Sequence, residues 1–253
     1  MNILSHGCMG KMSSATAQAI NNMPGLQVVV GVDIYPGSKD YPVYQRLEEV
    51  KEDFGMIVDF SLPQSVKPLC EYAVKHKKTL VIGTTGLQQE HNEMLREAAQ
   101  HIPVFASYNM HLGLYYLQEV IRESLKYFKE WDIELVEQHH NKKIDAPSGT
   151  AEIIMAMIKE AKPETTFVFD RTVREQARQK HEVGVSCIRS GDIVGIHHLM
   201  FGGENEYFEL KHTVVDRKAL SNGAARVAAW MAGKAAGFYE MKDIIADIKA
   251  GKM

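Results

Sequence analysis

The chain has 253 residues, enough to bury a core in one large domain or two modest ones. Apolar residues make up 45% and charged residues 24%, and the net charge is -3; this is an ordinary globular composition without the positive field that holds a nucleic-acid backbone. Three scattered cysteines, Cys8, Cys70 and Cys187, speak against a disulfide framework or a zinc ribbon and for reduced thiols.

Asn2–Ser5 reads as a short strand, Gly7–Gly10 as a glycine turn, and Ser13–Asn22 as a helix stopped by Pro24 and Gly25. Gln27–Val32 and Met56–Phe60 are strand-like and rich in β-branched residues, and Thr79–Ile82 and Pro103–Ala106 also read as strands. Helices are expected at Pro63–His76, with proline in its first turn, and at Gln88–Gln100. This alternation predicts βαβ units and a doubly wound parallel sheet of the Rossmann type. After a long amphipathic helix at Gly113–Phe128 the pattern changes. A strand at Asp132–Gln138 and a helix at Thr150–Ala161 lead to strands at Thr166–Phe169, Val183–Arg189, Ile193–Phe201 and Glu206–Thr213. Turn signals at Ser190, Gly191 and Asp192 and at Gly202 and Gly203 predict hairpins and a mixed, largely antiparallel sheet in a second α+β domain. Asn222–Phe238 and Lys242–Lys249 read as helices. The domains are set at 1–108, completed by 222–253, and 109–221. Met1–Gly7 runs into a strand and turn rather than a signal peptide, and no apolar run has the length of a bilayer span. A soluble, cytoplasmic protein without a membrane or nucleic-acid partner is expected.

Gly7 and Gly10 lie between the first strand and the first helix. There, glycines permit a tight turn and let a pyrophosphate approach the helix N-terminus. The spacing is Gly-x-x-Gly, and Ser13 stands where a third small residue is expected, so the loop alone is equally an ordinary turn. Asp33 ends the second strand, where a carboxylate accepts hydrogen bonds from a ribose of NAD, while Lys11 offers an attraction to a 2′-phosphate. Gly83–Gly86 is a further strand-end loop, suited to line a nicotinamide.

The densest polar segment runs from Glu137 to Thr150. His139, His140, Lys142, Lys143 and Asp145 precede a Pro147-Ser148-Gly149-Thr150 turn that opens a helix. A zinc site is disfavoured, because adjacent histidines on extended backbone point to opposite sides; no metal is expected. A solvated basic loop accounts for the lysines only. An anion site at a helix N-terminus, with imidazole and ammonium groups beside it for proton transfer, accounts for both halves.

The run Glu137, His139, His140, Lys143, Asp145, Ala146, Pro147, Ser148, Gly149, Thr150, Ala151 resembles the signature of the dihydrodipicolinate reductase family. The resemblance extends through the Gly7–Met12 loop, Asp59–Ser61, Gly83–Gly86, Asn109–Gly113, Arg189–Gly195 and Asn222–Arg226. It implies NADH- or NADPH-dependent reduction of 4-hydroxy-tetrahydrodipicolinate by a homotetramer, in lysine and diaminopimelate synthesis. With cofactor and substrate held by different domains, closure on binding is expected. By resemblance, His139 is the acid–base residue and Lys143 the donor to the substrate nitrogen. His140, Ser148, Gly149 and Thr150 bind the carboxylates. Gly7, Gly10, Lys11, Met12 and Asp33 hold the dinucleotide, and Gly83, Thr85, Ser107 and Met110 its nicotinamide side. Departures from the family pattern are Ser13 for glycine, Leu62 for a basic residue near a 2′-phosphate, His111 for serine, and Ile196 for an acid before His197. The residues by themselves also allow another dehydrogenase on this scaffold, or a nucleotide sensor without catalysis.

Overall fold

The computed structural model describes residues 1–35, 37–173 and 176–252. In chain order the elements are β1 (Asn2–His6), α1 (Lys11–Asn21), β2 (Gln27–Val32), β3 (Val43–Tyr44), β4 (Met56–Asp59), α2 (Val66–His76), β5 (Thr79–Ile82), α3 (Gln89–Ala98) and β6 (Pro103–Ala106). They continue with α4 (Leu112–Tyr127), β7 (Asp132–His139), α5 (Gly149–Ala161), β8 (Thr166–Val168), β9 (Glu182–Arg189), β10 (Gly195–Gly202), β11 (Tyr207–Val214), α6 (Lys218–Met231), β12 (Gly237–Tyr239) and α7 (Met241–Lys249). Two units emerge, one of Met1–Leu112 with Lys218–Met253 and the other of Gly113–Arg217.

The first unit holds a seven-stranded sheet in the order β12-β6-β5-β4-β1-β2-β3, with every pairing parallel. All four residues of β4 and of β5 are buried, as a parallel sheet covered on both faces requires. The chain runs outward from β1 through β2 to β3, then returns to β4 on the other side of β1. The carboxyl ends of β1 and β4 therefore flank the switch point, where open α/β sheets bind ligands. Helix α6 packs on α1. A Cβ at Gly223 of α6 would lie 1.9 Å from the Met110 carbonyl oxygen, so only glycine permits that approach.

Two short strands, β3 and β12, lie outside the elements expected from sequence. β3 has two residues and no period to detect. The helix expected over Asn222–Phe238 instead spans Lys218–Met231. Gly233 takes a left-handed φ of +79° beyond its end, and Gly237–Tyr239 pairs in parallel with β6.

The second unit is a five-stranded sheet in the order β11-β10-β7-β9-β8. β10 pairs antiparallel with β7 and β11, whereas β9 pairs parallel with β7 and β8. The sheet is thus mixed, with two antiparallel and two parallel pairings. The Ser190–Asp192 turn does not close a hairpin, because β7 lies between β9 and β10. Instead it crosses the carboxyl end of β7, where Ser190 N–H donates to the His139 carbonyl and Asn141 N–H donates to the Gly191 carbonyl. The expected hairpin at Gly202 and Gly203 does form, joining β10 to β11. Ile133, Leu135, Val183, Val185, Leu199 and Phe201 face one side of the sheet and pack with α4 and α5 residues in the unit's core.

Candidate active site

On β7 the alternation that buries Ile133 and Leu135 continues to Glu137 and His139, so the core face turns polar at the carboxyl end of the strand. The register sets Cys187 and Arg189 of β9 and His197 of β10 beside them. Glu137 is fully buried. One carboxylate oxygen accepts from the Arg189 guanidinium at 2.7 Å, and the other meets His139 Nδ1 at 2.5 Å. Burial pushes this carboxyl up, but hydrogen bonds from Arg189, Cys187 and His139 outweigh it and hold Glu137 below the ordinary carboxylate range. The Cys187 thiol is pushed up to about 11, mainly by burial and then by its hydrogen bond to Glu137.

His139 is drawn below its ordinary value. Burial is the main cause, opposed by Glu137 and assisted by the positive charges of Lys143 and Arg189. Its ring meets that of His197 at a centroid distance of 5.4 Å and an interplanar angle of 70°. Burial lowers His197 to about 4, with repulsion from His139 as the next cause. His197 is therefore a neutral imidazole, with Nε2 3.1 Å from Ser148 Oγ.

The loop after β7 returns to the same corner. Lys143 Nζ binds both carboxylate oxygens of Asp145, at 2.8 and 2.7 Å. Arg189 donates to the Asp145 carbonyl at 2.7 Å, so one guanidinium ties this loop to Glu137. Ser148 is the N-cap of α5, with its Oγ accepting from Ala151 N–H at 3.3 Å. Gly149 and Thr150 form the first turn, and a Cβ at Gly149 would meet nothing within 4 Å among the described residues. His140 is half-buried, and its Nδ1 has no hydrogen-bond partner among the described residues. The structure thus gathers His139, Lys143 and Ser148 through shared partners, with the α5 N-terminus following in the chain.

In the first unit, Gly7 has φ +68°, and a Cβ there would come 3.0 Å from Ser61 Cβ and 3.1 Å from the Phe60 carbonyl oxygen. Gly10 is the N-cap of α1. The Asp33 carboxylate accepts from Met9 N–H at 2.8 Å and Tyr35 N–H at 3.0 Å, which ties the glycine loop to the end of β2. A cavity of about 430 Å³ lies at the switch point, lined among others by Gly7, Gly10, Asp33, Tyr35, Ser61 and Leu62. Such a cradle, whose walls are glycine backbone at a helix N-terminus with a carboxylate opposite, fits a dinucleotide. Lys11 is exposed and Met12 half-buried. Gly83 is buried, and a Cβ on it would strike the Phe60 ring at 2.2 Å. Thr85 is exposed, whereas its neighbour Thr84 is buried and donates to Asp59 at 2.6 Å. Met110 is buried beside Gly223, and Ser107 donates to the Asn109 carbonyl. Ile196 lies within β10, on the face opposite His197.

Comparison with known proteins shows the family of the chain. Residues 1–110 match the family model for the dihydrodipicolinate reductase N-terminus, and residues 113–245 match the model for its C-terminus. The chain belongs to the dihydrodipicolinate reductase family. It is 38% identical over 244 residues to 4-hydroxy-tetrahydrodipicolinate reductase of Caldanaerobacter subterraneus, covering 96% of this chain and 97% of that protein. The enzyme of the same name from Clostridium novyi is 36% identical over 245 residues, with the same coverage. Among solved structures, a dipicolinate-bound dihydrodipicolinate reductase from Paenisporosarcina sp. TG-14 superposes with a TM-score of 0.76 at 22% identity, covering 95% of this chain and 97% of that one.

The loop carries a sequence signature, but most of the partners that hold it do not. Glu137, Arg189 and His197 went without a role. Glu137 carried a signal: a carboxylate at the inward phase of a strand whose other inward residues are Ile133 and Leu135. Arg189 and His197 had no local signal, since their positions depend on which strands flank β7.

Proposed function

We propose that this chain is a 4-hydroxy-tetrahydrodipicolinate reductase. It uses NADH or NADPH to convert (2S,4S)-4-hydroxy-2,3,4,5-tetrahydrodipicolinate to tetrahydrodipicolinate, with one hydride and one proton taken up and one water lost. The observation that carries the reading is the meeting, at one sheet corner, of the Glu137-bonded His139, the guanidinium-tied loop of Lys143, and Ser148 at the start of α5.

The dinucleotide-binding residues are Gly7, Gly10, Lys11, Met12 and Asp33, with Gly83, Thr85, Ser107 and Met110 toward the nicotinamide. When bound, the nicotinamide supplies the hydride. The protein supplies charge and protons. Ser148 caps Ala151 N–H, so the N–H groups of Gly149 and Thr150 are the donors for a substrate carboxylate, assisted by the Thr150 hydroxyl and His140. Lys143 exchanges Asp145 for the substrate, and its ammonium stabilises charge developing on the ring nitrogen. His139 holds and delivers the proton through Nε2, because its Nδ1 faces Glu137.

In this reading the protein is a cytoplasmic homotetramer of lysine and diaminopimelate biosynthesis. Exposed apolar residues on the second sheet, Ile188 and Tyr207, support assembly through that sheet; sedimentation at a tetramer mass is expected. No helix among the described residues is long and apolar enough to cross a membrane. The test of function is oxidation of NADH or NADPH in the presence of the aldolase product made in place from pyruvate and aspartate semialdehyde. The reading requires oxidation that depends on both precursors. A folded protein that oxidises neither cofactor would contradict it.

A further inference from the structure

We infer that Glu137 is the positioning residue of this site: it fixes the tautomer of His139 and, through Arg189, anchors the loop that carries Lys143. The inference rests on the reductase reading above. Its basis is geometric.

The Glu137 side chain has no exposed surface, so its carboxylate cannot itself meet substrate. A charge so placed is costly unless every lone pair has a partner. Here one oxygen faces His139 Nδ1 and the other the Arg189 guanidinium, with the Cys187 thiol adding a further donor. An anionic acceptor at Nδ1 requires the proton on that nitrogen. Neutral His139 is then the Nδ1–H tautomer, and Nε2 is the atom left to accept or deliver a proton. Gly195 keeps the Nε2 edge open: a Cβ there would lie 3.2 Å from that atom.

Arg189 extends the same hold. Its NH2 group donates both to Glu137 and to the Asp145 carbonyl, at 2.7 Å each, while the Asp145 carboxylate grips Lys143. One buried carboxylate therefore sets the direction of the proton donor and the placement of the cationic loop. A hydrophobic residue at 137 would continue the apolar face of Ile133 and Leu135, so packing gives no reason for a charge there.

Among the described residues, the groups that face His139 are Glu137 on its own strand, Arg189 on β9, His197 on β10, and Lys143 in the following loop. Of these, Glu137 is the one whose negative charge favours imidazolium. Its loss must lower the proton affinity of His139 and release the tautomer.

Two measurements decide the matter. Nitrogen-15 NMR of the wild-type protein should show neutral His139 as the Nδ1–H tautomer. Steady-state kinetics of Glu137→Gln should show kcat lowered about 100-fold, a loss typical of a disabled acid–base group. The KM for NADH or NADPH should be unchanged, and the high-pH limb of the kcat profile should move down by about one pH unit. A wild-type Nε2–H tautomer would overturn the inference without any variant and whether or not the protein reduces its substrate. So would a folded Glu137→Gln enzyme with kcat within about twofold of wild type and an unmoved limb. A wild-type protein without reductase activity would count against the functional reading, while the tautomer measurement would still settle the role of Glu137.

Discussion

His197 makes the stability of this protein depend on pH in a way that can be worked from its surroundings. Its imidazole is buried between β7 and β11, with a proton affinity lowered from 6.5 to about 4, mainly because burial penalises the cation. In the unfolded chain the group titrates near its ordinary value. Between those limits the unfolded state binds a proton that the native state refuses, so stability rises with pH across the window. Above about pH 6.5 both states are neutral and the penalty vanishes; it is complete once the pH falls below about 4. The full displacement corresponds to about 3 kcal/mol. His197→Gln keeps an amide within reach of Ser148 Oγ and removes the titration. Urea unfolding of both proteins from pH 7.5 to 4 is the assay. The wild type should lose about 3 kcal/mol more than the variant over that range, with the difference accumulating between pH 6.5 and 4. His139 and His212 are also lowered and contribute with the same sign, but both proteins retain them. Equal pH slopes for the two proteins would show that His197 is not held neutral in the native state.

Other expectations follow from single contacts. Ser148→Ala removes the cap of α5 and the partner of His197 Nε2, and should cost about 2 kcal/mol in chemical denaturation, with a raised KM for substrate; a loss below about 0.5 kcal/mol would show that neither bond matters. Gly83→Ala drives a Cβ into the Phe60 ring and should cost about 1–3 kcal/mol while weakening dinucleotide binding measured by calorimetry. His139→Gln should lower kcat about 100-fold or more and leave the KM for NADH or NADPH in place; Lys143→Ala should abolish turnover with the fold intact by circular dichroism.

The parts of this site that lie together in sequence were legible there. The run from Glu137 to Thr150 joins a strand end, a polar loop and a helix start, and each has a local signature: period-two burial, His and Lys beside Asp145, and Ser148 before an apolar helix. The alternating strands and helices of the first unit were legible for the same reason. Strand pairing was not. Ser190–Asp192 has the composition of a hairpin turn, and nothing within it reveals that β7 separates the strands on either side. That misreading hid Arg189 and His197, which reach the site only because β9 and β10 flank β7. β12 escaped for another reason: three residues that pair with β6 follow an alanine-rich helix, and the helical pattern overran them. At the cofactor loop, Asp33 was read as a ribose ligand. Its two bonds from the Met9 and Tyr35 N–H groups show that it shapes the loop, a tertiary fact with no sequence mark.

If this chain transfers a hydride from a reduced nicotinamide to the aldolase product, the label of a deuterated cofactor must appear in that product. Mass spectrometry of the reaction run with cofactor doubly deuterated at the nicotinamide C4 tests it most directly. The expected product is tetrahydrodipicolinate carrying one deuterium, formed in step with cofactor oxidation. Product without deuterium, or no product from the folded protein, would contradict it.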